Sequence, residues 1–360
     1  MMSRRSFIKW LLTVAVLLIG TSAGVAGWLK KFFRTEEELS AGSNASTAPS
    51  PSPGSAPSAA PERDTAPLLS YFILSDLHVS IDDPQTSRKL KLALDDIKAF
   101  DSKVEAIVLT GDITDTGVER DYQELRRILS GYKLPPLHAN MGNHDYYTIW
   151  LNKNNGWDQE NMPNGKSDAV SRDQFMKFFG YKKPYNEVTA NGYTMLLLSQ
   201  ETYVQEMPEV GEGAWYSDEQ LQWLKDRLAA VYQPGKPIFI MTHQPLPAIG
   251  SDGRTHQLIR AKQFREILKP YSNVFVFCGH RHQDFQNGSE HYFRETFHYF
   301  HNSSVGRPSN RSFQQSARNM SQGLYVQVYK NKVVLRGREF SDSSFIAEAN
   351  WTVELQKANA

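Results

Sequence analysis

Cysteine is nearly missing from this chain: Cys278 is the only one among 360 residues. A single thiol forms no intrachain disulfide and builds no Cys-cluster zinc or iron–sulfur site. It sits in an apolar run before Gly279, the setting of a small buried hydrophobe rather than a nucleophile. Net charge is nearly missing as well, since 40 Lys+Arg stand against 39 Asp+Glu for a total of +1. That balance argues against a dedicated nucleic-acid binder, and no nucleic-acid partner is expected beyond a nucleotide substrate. No internal repeat is visible. Apolar residues are not lacking: 40% hydrophobic and 12% aromatic content can build a core and exclude wholesale disorder.

The near-zero charge is an average over unlike parts. Residues 1–34 hold six bases (Arg4, Arg5, Lys9, Lys30, Lys31 and Arg34) and no acid. Removing those six leaves 34 bases against 39 acids, a net of −5 for the remainder. Between Lys9 and Lys30 lie 20 uncharged residues, densest in apolar side chains over Trp10–Ile19. A basic start, an apolar run and then small residues, Gly20 to Ala26, make an export-signal layout. The segment Ser3-Arg-Arg-Ser-Phe-Ile-Lys9 resembles the twin-arginine signal. A membrane anchor shares the same physics, because 20 helical residues span about 30 Å. Gly24-Val-Ala26 offers a small-x-small cleavage site, and no nearby Cys permits a lipid anchor. Residues 1–34 are therefore expected to be a twin-arginine signal peptide or an uncleaved anchor. Export machinery and, if uncleaved, the membrane are the expected partners. The chain would then work outside: extracellular, wall-associated or anchored facing outward.

Residues 35–67 are rich in Ser, Ala and Pro, as in Ala48-Pro-Ser-Pro-Ser-Pro-Gly54. Such a stretch cannot bury enough apolar surface to offset its ordering entropy, so a disordered, semi-extended linker is expected. Residues 68–360 read as one domain.

Within it, short apolar runs recur: Tyr71–Leu74, Ala106–Leu109, Leu137–Asn140, Tyr193–Leu198, Ile238–Met241 and Val274–Phe277. Runs of this kind suit strands covered on both faces. Helical periodicity lies between them at Lys89–Phe100, Glu119–Leu129, Arg172–Phe179 and Gln220–Val231, the last opened by the capping box Ser217-Asp-Glu-Gln220. The alternation predicts an α/β fold. Leu324–Tyr329, a turn at Lys330-Asn331 and Val333–Leu335 predict a hairpin, hence a mixed sheet near the end.

Five of the apolar runs stop at chemically similar residues. Ser75-Asp-Leu-His78 follows the first, Gly111-Asp-Ile-Thr-Asp115 the second and Gly142-Asn-His-Asp145 the third. Thr242-His243 and Gly279-His-Arg-His282 follow two later ones. In α/β sheets, sites assemble beyond the carboxyl ends of strands. Imidazole, carboxylate and amide donors suit Mn²⁺, Fe or Zn²⁺ better than Ca²⁺ or Mg²⁺. More than four such groups with more than one carboxylate point to two ions, and a carboxylate can bridge them.

In that order the motifs Asp-x-His, Gly-Asp-x-x-Asp, Gly-Asn-His-Asp, a lone His and Gly-His-x-His resemble the calcineurin-like metallophosphoesterase family over about residues 69–285. The resemblance implies a four-layer αββα sandwich of two mixed sheets, with a dinuclear metal site at the strand C-terminal ends. It implies that Asp76, His78 and His282 hold one divalent ion, that Asn143, His243 and His280 hold the other, and that Asp112 bridges them. Manganese is the metal we expect. His144 would protonate the leaving oxygen, and Asp145 would orient His144 through a hydrogen bond. The implied reaction is hydrolysis of a phosphoester by metal-generated hydroxide, with no covalent enzyme intermediate.

Departures narrow the class. Purple acid phosphatases have Tyr where this chain has Asp115. Protein Ser/Thr phosphatases carry Asp-Arg-Gly where this chain has Asp115-Thr-Gly117, and Glu where it has Asp145. The pattern looks more like bacterial phosphodiesterases of the cyclic-nucleotide type. Asp115 is read as a network carboxylate or a loop cap. Arg254, His256 and Arg281 are candidates for phosphate contact against a solvated-loop alternative. The stretch 146–185, with Trp150 and Trp157, is either an aromatic lid or a packed flank. A phosphomonoesterase, or a non-catalytic scaffold lacking ligands, are the competing functions; none of the motif residues is missing.

Overall fold

A computed structural model of the chain describes residues 66–357; the expected signal or anchor (1–34) and most of the expected linker (35–67) lie outside that range. Pro67–Ala360 forms one compact unit. Its elements begin with β1 (Leu69–Leu74), α1 (Pro84–Ala99), β2 (Ala106–Thr110), α2 (Glu119–Leu129) and β3 (Leu137–Asn140). A 3₁₀ segment, His144–Trp150, and α3 (Asp168–Phe179) follow. Next come β4 (Asn186–Ala190), β5 (Tyr193–Leu197), α4 (Asp218–Val231), β6 (Ile238–Met241), α5 (Ala261–Leu268) and β7 (Val274–Cys278). The chain closes with β8 (Tyr292–Arg294), β9 (His298–His301), β10 (Gln322–Val328), β11 (Lys332–Glu339) and β12 (Ser344–Glu354).

The strands form two six-stranded sheets, ordered β12-β11-β10-β1-β2-β3 and β4-β5-β6-β7-β9-β8. Both are mixed. In the first, β1, β2 and β3 run parallel while β10–β12 are antiparallel, with Tyr71 opposite Ala106 on one side and Val326 on the other. In the second, β5, β6, β7 and β9 are parallel and the edge strands β4 and β8 antiparallel.

The period-2 geometry of a strand explains why these runs are apolar throughout. In β1, Tyr71 and Ile73 face the other sheet and join a core with Phe239, Phe275, Phe277 and Val326. Phe72 and Leu74 point the opposite way, against Leu90 and Leu94 of α1 and Leu125 of α2. The second sheet repeats this: Leu196, Ile240 and Val276 pack on Leu221 and Leu224 of α4 and Phe264 of α5. The result is helix, sheet, sheet, helix, the four-layer sandwich expected.

Helix α2 begins where periodicity suggested, while α1, α3 and α4 begin earlier. Asp83 caps α1 by accepting from Gln85 N–H, and Pro84 starts it, so the helix opens five residues before Lys89. Half of the expected capping box forms: Ser217 Oγ accepts from Gln220 N–H at 3.1 Å, but the Ser217 N–H donates to Glu201 Oε2 at 2.6 Å instead of to the Gln220 side chain. Strands β4, β8, β9 and β12 went unread in the sequence. Asn186-Glu-Val-Thr-Ala190 and His298-Tyr-Phe-His301 are too polar for the buried-strand pattern, and in β12 exposed and buried residues mix over a bulged edge. Among the described residues no helix is long and apolar enough to cross a membrane.

Candidate metal centre

The parallel strands of both sheets end at the same edge, and the five motif loops meet there. The first sheet contributes Asp76 and His78 after β1, Asp112 and Asp115 after β2, and Asn143 and His144 after β3. The second contributes His243 after β6, and His280 and His282 after β7. Donor atoms of Asp76, His78, Asp112 and His282 lie within 4.8 Å of one another, as do those of Asp112, His243 and His280. Asp112 belongs to both groups. Asn143 Oδ1 lies 3.0 Å from His280 Nδ1 and so joins the second. All seven residues expected to bind metal are therefore brought together.

Loop backbone makes this crowding feasible. Asp76, His78, Asp112, His280 and His282 have φ between 48° and 70°, the left-handed region that side chains other than glycine rarely enter. Such strain costs on the order of 1–3 kcal/mol per residue and persists only where surroundings enforce it. Gly142 and Gly279 serve a different need. A Cβ on Gly142 would fall 2.2 Å from Asp112 Oδ1, and one on Gly279 would fall 1.9 Å from Ser75 Oγ.

Two of the imidazoles, His243 and His78, are fixed from behind. His243 Nδ1 donates to the Thr110 carbonyl at 2.8 Å, which leaves the Nε2 lone pair facing the cluster. Nε2 is buried and 3.2 Å from Asp112 Oδ2, yet makes no aligned hydrogen bond. His78 Nδ1 meets Asp115 Oδ1 at 3.2 Å, while its Nε2 lies 3.0 Å from His282 Nε2. Buried ring nitrogens turned toward each other and toward two buried carboxylates are what a cation would satisfy. The donor set thus fits a dinuclear divalent-metal site.

The carboxylates are partly satisfied by the protein. Asp76 accepts from His280 N–H at 3.0 Å and from Ser75 Oγ. Asp112 Oδ1 accepts from His144 N–H at 2.9 Å, leaving Oδ2 toward His78 and His243. Burial opposes ionisation of Asp112, but the neighbouring His243 and His144 outweigh it and hold its acid well below the usual range.

Asp145 does not orient His144, contrary to expectation. Its Oδ1 accepts from Thr114 N–H at 3.0 Å and from Thr114 Oγ1. Its Oδ2 accepts from Gly142 N–H at 3.1 Å and Ile113 N–H at 3.3 Å. The 3₁₀ turn after Asn143 aims this carboxylate at the backbone amides of two ligand loops, which it clamps together. Burial, then the Asp112 charge, push its acid up to about 6 against those amide bonds. His144 Nδ1 instead donates to the Asp115 carbonyl at 2.9 Å, with Asp115 Oδ1 at 3.2 Å.

Asp115 is a network hub rather than a cap. Besides His78 and His144 it takes a two-pronged contact from Arg307, at 2.6 Å to Oδ1 and 2.9 Å to Oδ2. Arg307 was not foreseen. It lies on the loop after β9, where buried Asn302, Ser303 and Ser304 also sit, with Ser304 Oγ donating to the Asp76 carbonyl at 2.8 Å. The detectable signal was a sixth strand ending in a polar run, hidden because β9 itself carries histidines. His256 was read as a bystander or a phosphate contact; its Nδ1 lies 3.2 Å from His280 Nε2 at the site. In the stretch 146–185, Trp150 joins the core and stacks on Trp157 at 5.9 Å, and Trp157 is 54% exposed. It is a packed flank with one open ring. Tyr147 lies against His144, ring centroids 4.1 Å apart.

The family model for calcineurin-like phosphoesterases matches residues 69–284. The chain belongs to that family. A probable cyclic nucleotide phosphodiesterase from Rhodococcus erythropolis is 25% identical over 224 residues, 60% of this chain and 66% of that protein. Tartrate-resistant acid phosphatase type 5 from Rattus norvegicus is 28% identical over 106 residues, 28% of this chain and 31% of that one. The matches thus span less than two thirds of either relative. A dimetal phosphatase from Danio rerio shares the fold at a TM-score of 0.58 and 14% identity, covering 81% of this chain and 100% of that one.

A Gly142→Ala substitution tests the crowding directly. The added methyl must displace Asp112, so metal content of the purified protein, measured by plasma mass spectrometry, should fall below two ions per chain. Retention of full occupancy would show that the loop has room to give.

Proposed function

We propose that this protein is an exported, metal-dependent phosphodiesterase. The observation that carries the reading is the pair of donor groups sharing Asp112, with His144 beside them. In it Asp76, His78 and His282 would hold one divalent ion and Asn143, His243 and His280 the other. When bound, the ions would polarise phosphoryl oxygens as Lewis acids and acidify water near neutral pH. We take manganese as the working metal.

The chain's own residues would do the rest. His144 donates its Nδ1 hydrogen to the Asp115 carbonyl, which leaves Nε2 to carry a transferable proton. Burial lowers the affinity of this ring for a proton. Counting only the protein's own charges, Asp112 and Asp115 overcome that and raise it to about 9. A protonated ring is the state a general acid needs to release an alkoxide leaving group, and the Asp115 carboxylate 3.2 Å away favours that state independently of Asp112. Arg307 and Asp115 hold the ring in place, and Asp145 keeps the Asp112 and Asn143 loops in register.

A diester substrate is favoured by the name of the Rhodococcus relative and by Asp115, which stands where purple acid phosphatases have Tyr. The rat relative is named a phosphatase, so a monoesterase on small extracellular phosphates is the second reading. Hydrolysis of bis-p-nitrophenyl phosphate and p-nitrophenyl phosphate with Mn²⁺ and with chelator separates them. We expect faster turnover of the diester, abolished by chelator. Preference for the monoester would install the second reading, and no turnover of either with any divalent metal would refute both.

His144→Ala should keep its metal content and slow diester hydrolysis by about 10²- to 10⁴-fold. Lost metal would reassign the residue as a ligand.

The export segment supports action outside the cytoplasm, with the twin-arginine machinery as partner and the membrane as a second partner if the segment is retained. Changing Arg4 and Arg5 together to Lys should block export in a fractionation assay; unchanged export would refute the twin-arginine reading.

A further inference from the structure

Asn143 differs from the other cluster residues in having an orientation that chemistry does not decide. Its Oδ1 has lone pairs for a cation, whereas its Nδ2 has two hydrogens and none. Half a turn of the amide would therefore remove the ligand and aim hydrogens at the cluster. Something must hold the oxygen inward.

The nearest group able to do so lies outside the five motifs. Glu212 Oε2 is 2.8 Å from Asn143 Nδ2. An ionised carboxylate only accepts, so it tolerates the amide nitrogen and rejects the amide oxygen. With Nδ2 on Glu212, Oδ1 faces His280 Nδ1 at 3.0 Å. The carboxylate is itself fixed: Tyr147 OH donates to Oε2 at 2.9 Å, and Tyr203 OH to Oε1 at 2.6 Å. Its backbone is wedged as well. Glu212 N–H donates to Thr255 Oγ1 at 3.1 Å, and Ala214 pairs with Leu258. A Cβ on Gly211 would fall 2.4 Å from Thr255 Oγ1, and one on Gly213 would fall 2.7 Å from the Arg254 carbonyl. A half-buried glutamate between two tightly fitted glycines, accepting three donors beside a cation subsite, is over-determined for a surface loop.

We propose that Glu212 is a positioning residue for the second cation: it sets the rotamer of the Asn143 amide so that the oxygen points at the ion. The inference rests on Asn143 being a ligand, as proposed above. It names a determinant of cation affinity that none of the five motifs contains.

The test is titration of the full chain, stripped with chelator, with Mn²⁺ in a calorimeter and no phosphoester present. Wild type should take up two ions. Glu212→Leu keeps bulk but removes the acceptor, and should weaken one of the two ions by about 10- to 100-fold while leaving the other unchanged. The decisive variant adds Asn143→Asp. A carboxylate at 143 has no wrong end, so the double variant should bind the second ion within about 3-fold of wild type. A merely structural role for Glu212 predicts no such recovery. Should Glu212→Leu not fold, Glu212→Gln replaces it; loss of the charge-assisted bond should weaken the second ion by about 3-fold or more, again restored by Asn143→Asp. Two ions bound as tightly in the Glu212 variants as in wild type overturns the proposal, as does a double variant no better than the single. Two ions bound without hydrolysis of any phosphoester would sink the enzymatic reading and leave this one standing. Fewer than two ions in wild type sinks both.

Discussion

Two carboxylates removed from water, Asp76 and Asp112, set the terms for everything around them. A buried negative charge is tolerated only when paired and hydrogen-bonded. The protein meets part of that demand with the His280 and His144 backbone amides and the Ser75 hydroxyl. The remaining oxygens look onto imidazole nitrogens, two of which, on His243 and His78, are held lone-pair inward by the Thr110 carbonyl and the Asp115 carboxylate. Acceptors facing acceptors is unfavourable for a protein alone and favourable around cations. The glycines, the left-handed ligand backbones and the Asp145 clamp all serve to hold that arrangement.

The centre also joins the two halves of the sandwich. Asp76, His78, Asp112 and Asn143 hang from the first sheet, while His243, His280 and His282 hang from the second. The spacing of the donors is thus set by the apolar interface between the sheets, where Tyr71, Phe239 and Phe277 pack. Interiors of this kind are close-packed and resist compression. Ligand geometry is therefore a property of the core as much as of the loops.

This division explains what could be read from the sequence. Strands such as Ala106–Thr110 and Val274–Cys278 were legible because burial on both faces demands unbroken apolar runs, and each run pointed at its ligand. The edge strands β4, β8 and β12 were not, because one open side admits polar residues, as in Asn186–Ala190, and interior β9 was hidden by its two histidines. Within the site, identity was legible and partnership was not. That Asp145 follows His144 suggested a bond that a 3₁₀ turn forbids, and Asp115, 29 residues earlier, makes the contact instead. Arg307 and Glu212 arrive from sequence far away, 192 and 69 residues from Asp115 and Asn143. Only tertiary structure could bring them in.

The place of β1 has a temporal meaning. It is the strand that carries Asp76, and it lies between β2, made shortly afterwards, and β10, with Leu69 opposite Val328. Half of the first sheet, β10 to β12, comes from residues 322–354. A nascent chain that has emerged only as far as the last ligand, His282, therefore has every donor but an open flank on its central strand. Contacts that distant in sequence are slow to form and leave strand edges exposed meanwhile. The sheet that carries Asp76 is therefore complete only once residues 322–354 have followed the last ligand, so the setting of the centre lags behind the synthesis of its donors.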